Sequence, residues 1–398
     1  MKIAIILEEQ IYSGGGYFQS LNTIESIYRS VNKDDEVIIY TSVNENVYFL
    51  NERKYNTSFF KKNLYDYIYI YINNLWIYKY LQLVFNKSIT SNFEKTLLRQ
   101  QIDFVVFTSP TSLTSMLLNI INFSLSIWDN SHIDFPEFPE VRGNVFTSRE
   151  FFLKQVMPLS FFIITDSDEL VEKLSYRYGI DKCKFIKLPF YVSPMLGKKI
   201  NNNLEILNNK NIPIDNFIFY PAQYWPHKNH VTILRALLIL KKRGYNNHVV
   251  FCGKDFLNKK NIIDYIKKNE LENNVTLLNY ITSEEMIFLY SKCKGVIMTT
   301  YFGPTNIPPI ESWYFSKPLI YSSHLKNQVK EAAILVNCDS PEDIADGILK
   351  LENNEIVTKI VSEGKKMLIN IESDILEAEN LLKNKFFIFN SRKNNWKC

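Results

Sequence analysis

Short apolar runs recur along the chain with longer amphipathic stretches between them. In the first half they are KIAIIL, EVIIY, DFVVFTS, LSIWD, FFIITDS and KFIKLPF; in the second, NFIFYPAQ, HVVFCGK, VTLLNY, GVIMTT, PLIYS and AILVN. Runs this short, rich in β-branched and aromatic residues, suit strands buried on both faces, and the stretches between them suit helices. The alternation predicts parallel sheets with helices on both sides, an α/β architecture. Between the two sets lies SPMLGKKINNNLEILNNKNIPIDN, polar, Asn-rich and bounded by proline, which marks a linker over 193–214.

Two Rossmann-like domains facing a central cleft are therefore expected, over 1–192 and 215–372, with ligands binding beyond the C-terminal strand ends. A length of 398 residues supports the division, since one core rarely organises so long a chain. The remaining helical segment, SDILEAENLLKNKFFIFN, and the tail fill 373–398 and are expected to cross back to the first domain.

Composition adds limits. With 46% hydrophobic and 22% charged residues the chain is globular. A net charge of +4 is too slight for a dedicated nucleic-acid surface, yet it leaves room for a phosphate-bearing small molecule or an anionic membrane. The cysteines at 183, 252, 293, 338 and 398 are odd in number and form no CxxC, which suits a reduced, cytoplasmic setting. The opening MKIAIILEEQ reads as a first strand, and no run approaches the ~18 apolar residues of a spanning helix. The Asn-x-Ser/Thr triplets accordingly carry no glycosylation meaning. Phe59–Phe85, dense in aromatics with scattered Lys, suits either an aromatic core helix pair or a face that touches the membrane.

Three loops are candidates for chemistry. Ser13–Gly16 holds three of the twelve glycines just after the first strand, and Gly15 and Gly16 would let the backbone approach phosphate or sugar oxygens, or simply make a tight turn. FYPAQYWPHKNH runs from a strand into a helix start, placing Lys228 beside backbone N–H groups, a good diphosphate clamp. YFGPTNIPPIE is a stiff, proline-rich loop that leads into a helix carrying Glu311. No HxH or HExxH spacing points to a metal, and Asp166-Ser167-Asp168 reads as a helix cap rather than a metal-binding pair.

Taken in order, these pieces resemble the retaining GT-B glycosyltransferases of glycosyltransferase family 4, of the bacterial surface-polysaccharide type. PAQYWPHKNH, FCGKD, VTLLNYITSEEM, GPTNIPPIES and ILVNCDSPEDIADGI fall in the family's order and approximate spacing, and WDNSHIDFPEFPEVRG looks like its loop facing the cleft. The resemblance implies that Glu311 bonds the ribose hydroxyls of the donor. It also implies that Thr305, Asn306 and Ile307 present N–H groups to the diphosphate and sugar, and that Tyr280 and Ile281 meet the base. Gly253, in FCGKD, joins the same site. The family's Arg and Lys fall on Gln223 and Lys228, with His227 beside them, so one cation remains.

Two further departures concern the sugar. The first of the family's two Glu residues falls on Gly303, and its His-Asp pair on Trp128-Asp129; Asp129 and His132 are then the candidates for sugar or acceptor contact. The implied reaction moves a sugar from a UDP- or GDP-linked donor to a glycan or lipid-linked glycan acceptor, with retention, no metal and the leaving phosphate helping to take the acceptor proton. Any contact with the inner face of the cytoplasmic membrane would be peripheral. A silent sugar-nucleotide-binding subunit and a GT-B epimerase are the alternatives.

Overall fold

The computed structural model describes residues 1–11, 14–73, 75, 80, 90–117, 120–193, 212–213, 216–279, 281–303 and 305–395. Contacts divide the chain into two compact units. Met1–Asn130, Gly143–Pro189 and Ser373–Cys398 form the first; Ser131–Arg142 and Phe190–Glu372 form the second.

The first unit is built on a parallel sheet of β1 (Lys2–Ile6), β2 (Glu36–Thr41), β3 (Thr57–Phe59), β4 (Phe104–Phe107), β5 (Asn122–Ser126), β6 (Ile163–Thr165) and β7 (Phe185–Lys187). Among the described residues its order is β3-β2-β1-β4-β5-β6-β7. β1 lies between β2 and β4, with Ile3 opposite both Val37 and Phe104. Successive side chains of β1 go to opposite faces, as the period of a strand requires. Ile3, Ile5 and Leu7 enter one apolar cluster, Ala4 and Ile6 the other. The first cluster is closed by Ala378, Leu382, Phe386 and Phe389 of the C-terminal helix, with the Phe389 ring 4.8 Å from that of Phe104.

The second unit repeats the plan with β8 (Phe217–Pro221), β9 (His248–Cys252), β10 (Val275–Leu278), β11 (Gly295–Met298), β12 (Leu319–Ser322) and β13 (Ile334–Val336), ordered β10-β9-β8-β11-β12-β13. Its strand pairs are parallel too. In each sheet the winding reverses once, between β1 and β4 and between β8 and β11. Adjacent loops diverge at such a point and leave a crevice at the strand ends.

Two expectations change. Ser131–Arg142, expected inside 1–192, packs with the second unit. Aromatic contacts hold it there: Phe135 stacks on Phe302 at 5.4 Å, and Phe138 lies 5.2 Å from Tyr301. The core reading of the aromatic stretch also fails for the helix Leu64–Asn73, where Asp66 and Tyr69 are buried while Leu64, Tyr65, Tyr67, Ile68 and Tyr71 are exposed. Most of 74–89, and most of the expected linker, lie outside the described residues. The Asp166-Ser167-Asp168 triplet does cap a helix, the Ser167 hydroxyl accepting from the Leu170 N–H at 3.3 Å. Among the described residues no helix is long and apolar enough to cross a membrane.

Candidate active site

The crevice of the second sheet is flanked by the loops that leave β8 and β11, and both carry expected site residues. After β8 the chain makes a short turn at Pro226–Lys228, and Asn229 takes the left-handed conformation before the helix His230–Lys242 begins. The turn is fastened at both ends of its backbone. The Tyr220 hydroxyl donates to the Lys228 carbonyl at 2.7 Å, and the His227 carbonyl accepts from the Tyr301 N–H at 2.9 Å. Lys228 then reaches the second loop, its ammonium donating to Asn306 Oδ1 at 3.2 Å.

The second loop is braced by a relay of hydrogen bonds. Asn306 Nδ2 donates to the Tyr321 hydroxyl at 2.8 Å, Tyr321 donates to Gln328 Oε1 at 2.6 Å, and Gln328 Nε2 donates to the Gly303 carbonyl at 2.6 Å. Thr305 and Asn306 precede the helix Ile307–Tyr314. Pro308 and Pro309 have no N–H, so main-chain donors at this helix start come from Ile307 and the loop before it. Gly303 has φ +132°, and a β carbon there would lie 2.7 Å from Asn306 Oδ1. The position where the resemblance expects the first Glu is thus shaped for glycine.

Glu311 sits one turn into that helix and is 7% exposed, with Oε2 accepting from the Tyr290 hydroxyl at 2.5 Å. Tyr290 is itself set by stacking on Phe315 at 5.1 Å. Burial pushes the Glu311 carboxyl up to about 7, the Tyr290 hydrogen bond acting the other way. A raised carboxyl contributes stability below its ordinary value of 4.5 that is lost as pH rises through about 7. That loss is about 3 kcal/mol. Glu311→Gln should remove this decline, so denaturant unfolding of the variant should gain stability relative to the wild type at pH 8 but not at pH 4.

Gly253, after β9, is close-packed rather than exposed to a ligand by necessity: a β carbon would lie 2.4 Å from the Ala222 carbonyl oxygen and 2.6 Å from Gln223 Cα. Both neighbours are backbone and cannot swing away. Gly253→Ala should cost about 1–3 kcal/mol, read as a lower denaturation midpoint. Gln223 Oε1 accepts from the Trp225 indole N–H at 3.0 Å, and Trp225 stacks on Phe256 at 4.3 Å. Ile281 follows β10 in a partly buried loop, and Tyr280 lies outside the described residues.

His227 was legible in the sequence; its partner was not. Nδ1 of His227 lies 2.6 Å from Glu140 Oε1, which also accepts from the His227 N–H at 3.2 Å. The ring stacks on Phe302 at 3.9 Å between centroids. Glu140 comes from the Ser131–Arg142 stretch, and its one signal in the sequence is the doubled Phe-Pro-Glu of residues 135–140. His230, three residues on, is a core residue packed by Tyr220, Tyr224 and Phe251, and burial lowers its pKa to about 3.

The remaining expected residues lie elsewhere. Gly15 and Gly16 open the helix Gly15–Ser30 of the first unit, after Gly14 at φ +98°. At Gly16 a β carbon would meet the Trp128 ring at 3.0 Å, so close packing alone requires glycine there. Asp129 Oδ1 accepts from the Arg149 guanidinium at 2.5 Å. His132 belongs to the second unit and is fully buried, so it meets a ligand only if its surroundings move. Gln223, His227, Lys228, Gly253, Asn306 and Glu311 all belong to the second unit, on the loops or the helix that follow β8, β9 and β11, and Lys228 meets Asn306 directly. It places Gly15, Gly16 and Asp129 in the other unit.

Residues 204–367 match the glycosyl transferases group 1 family. That span contains the β8 and β11 loops and Glu311. The O-antigen chain mannosyltransferase RfbU of Salmonella typhimurium is 24% identical over 204 residues, 46% of this chain and 57% of that protein, so the match spans little over half the relative's length. A glycosyltransferase from Rickettsia africae superposes over 98% of both chains with TM-score 0.65 and 15% identity. Anabaena HepE in complex with UDP-glucose superposes over 95% of this chain and 98% of its own, with TM-score 0.68 and 14% identity. The fold is GT-B: two Rossmann-like, parallel-sheet domains, as in these glycosyltransferase structures.

Proposed function

We propose that the chain is a retaining glycosyltransferase that moves a sugar from a UDP- or GDP-linked donor to a glycan or lipid-linked glycan acceptor in bacterial surface-polysaccharide synthesis. One observation carries the reading: at the winding reversal of the second sheet, the Lys228 ammonium and the Asn306 loop are joined, with Glu311 one turn beyond. A cation and loop N–H groups suit a diphosphate, and a fixed carboxylate suits a vicinal diol. Leaving-group charge is then met by Lys228 and backbone donors without a metal. The leaving phosphate helps to take the acceptor proton, so no strong side-chain base is required.

Incubation with a panel of sugar nucleotides tests this. GDP-mannose belongs in the panel because the curated relative is a mannosyltransferase. Transfer or slow donor hydrolysis that persists in chelator, with an axial product from an axial donor, is the expected result. Binding without turnover would favour a silent nucleotide-sugar subunit, a reading that Gly303 keeps in view, since its backbone suits glycine where the family has Glu.

The acceptor side carries a separate prediction. Tyr65, Tyr67 and Tyr71 present exposed rings on the helix Leu64–Asn73, with Lys61 exposed just before it. Rings beside cations suit an anionic membrane surface, each Lys adding about 1 kcal/mol. Lys62 is ion-paired with Glu8, and Lys79 lies outside the described residues, so the rings are the better target. The protein should float with anionic vesicles at low salt and less at high salt, and Tyr65→Ser/Tyr67→Ser/Tyr71→Ser should abolish flotation. Recovery in the soluble fraction at both salt concentrations would mean that the acceptor is met in solution.

A further inference from the structure

We infer that Glu140 is a positioning residue of the donor site: it holds the His227 imidazole protonated and fixed, so that His227 supplies the second positive charge that Gln223 does not. The inference rests on the reading of the Trp225–Lys228 turn as the diphosphate clamp and adds to it a residue that neither the sequence motifs nor that reading identifies.

The geometry is that of a built pair. One carboxylate oxygen, Glu140 Oε1, receives both the ring at 2.6 Å and the backbone N–H of the same histidine at 3.2 Å. The side chains are 6% and 11% exposed, so water screens the pair little. Phe302 lies flat against the imidazole, and Phe138 meets it edge-on at 6.5 Å and 87°. From the other side, the His227 carbonyl is held by the Tyr301 N–H at 2.9 Å and the Thr300 hydroxyl at 3.3 Å. Ring, amide and carbonyl are thus each fastened, and the ring cannot turn without breaking the pair.

Charge decides the protonation state. Burial works to raise the Glu140 carboxyl, but the hydrogen bonds from His227 outweigh it and hold Glu140 below its ordinary value. An ionised carboxylate in contact favours the charged imidazolium. Among the described residues, the titratable groups nearby include Lys228, Tyr301 with its hydroxyl on Asp339 at 2.8 Å, and His230, which burial keeps neutral. Lys228 opposes a second cation, but its ammonium is directed to Asn306, whereas Glu140 touches the ring. A cation so close to Lys228 is costly without an anion between them and useful only where an anionic ligand is bound. A diphosphate is such a ligand, and the fixed imidazolium meets it with little entropy left to lose.

The test compares affinities for a nucleoside diphosphate, chosen from UDP, GDP and dTDP, and for the matching nucleoside, from pH 6 to 9. Their ratio isolates the diphosphate from the ribose and base, and comparing proteins at each pH cancels the ligand's own ionisation. In Glu140→Gln the ratio should fall severalfold at pH 7.5 relative to wild type, and its decline with pH should begin lower. Glu140→Asp should restore part of the ratio, and His227→Gln should show a low ratio with no decline of its own. Unchanged thermal melting of Glu140→Gln would separate this effect from unfolding. A Glu140→Gln protein with the wild-type ratio at every pH overturns the role of Glu140 while leaving the diphosphate clamp intact. Failure of the wild type to prefer any diphosphate overturns both.

Discussion

Lys228→Ala should lower turnover by about 10²–10³, the usual result of removing one preorganised group that meets developing negative charge. The fold should survive. The Lys228 backbone is held through its carbonyl by Tyr220, and that bond does not involve the side chain. The lost ammonium bond to Asn306 is only part-buried, so water replaces much of it and the denaturation midpoint should fall far less than turnover. Turnover on the best donor of the panel, measured beside the denaturation midpoint, checks this. Activity within a few-fold of wild type would put the diphosphate clamp elsewhere.

Glu311→Ala should weaken nucleotide binding by about 1.5–3 kcal/mol, the value of a charge-assisted hydrogen bond, and Glu311→Gln by less because the amide still accepts from a hydroxyl. The effect should reside in the ribose. A 2′,3′-dideoxynucleotide should therefore bind wild type and variant alike, whereas the ordinary nucleotide should distinguish them. Measurement is best made at pH 8, where the buried carboxyl, with its pKa pushed up to about 7, is ionised. An affinity of the folded Glu311→Ala protein for the ordinary nucleotide equal to that of the wild type at that pH would remove Glu311 from the donor site.

Much of the fold was legible because parallel strands buried on both faces must be short and apolar throughout. KIAIIL, DFVVFTS, HVVFCGK and GVIMTT stand out for that reason, and each became a central strand or its neighbour. The loops of interest were legible for a related reason. Proline and glycine punctuate strand ends, and in a doubly wound sheet those ends surround the crevice. Local capping at Ser167 followed from short-range chemistry alone.

What escaped the sequence depends on long-range pairing or on backbone shape. Glu140 and His227 are far apart in the chain, and no periodicity in either stretch links them; only the folded arrangement of Ser131–Arg142 on the second unit does. Gly303 read as a missing Glu, but its φ of +132° and the Asn306 amide packed against it make it a glycine position in its own right. The helix Leu64–Asn73 suited either core or membrane contact, because density in aromatics does not say which rings turn inward. At helical spacing residues two apart fall on nearly opposite sides, and only Tyr69 among the tyrosines of 64–71 turned inward.

The central claim is that the loops after β8 and β11 clamp the diphosphate of a sugar nucleotide, and calorimetric titration of the wild-type protein with UDP, GDP and dTDP beside their nucleosides tests it most directly. The account predicts saturable binding of at least one diphosphate, at least tenfold tighter than its nucleoside, with that preference largely lost in Lys228→Ala. Equal affinity for diphosphate and nucleoside, or a preference that survives in a folded Lys228→Ala protein, would contradict it.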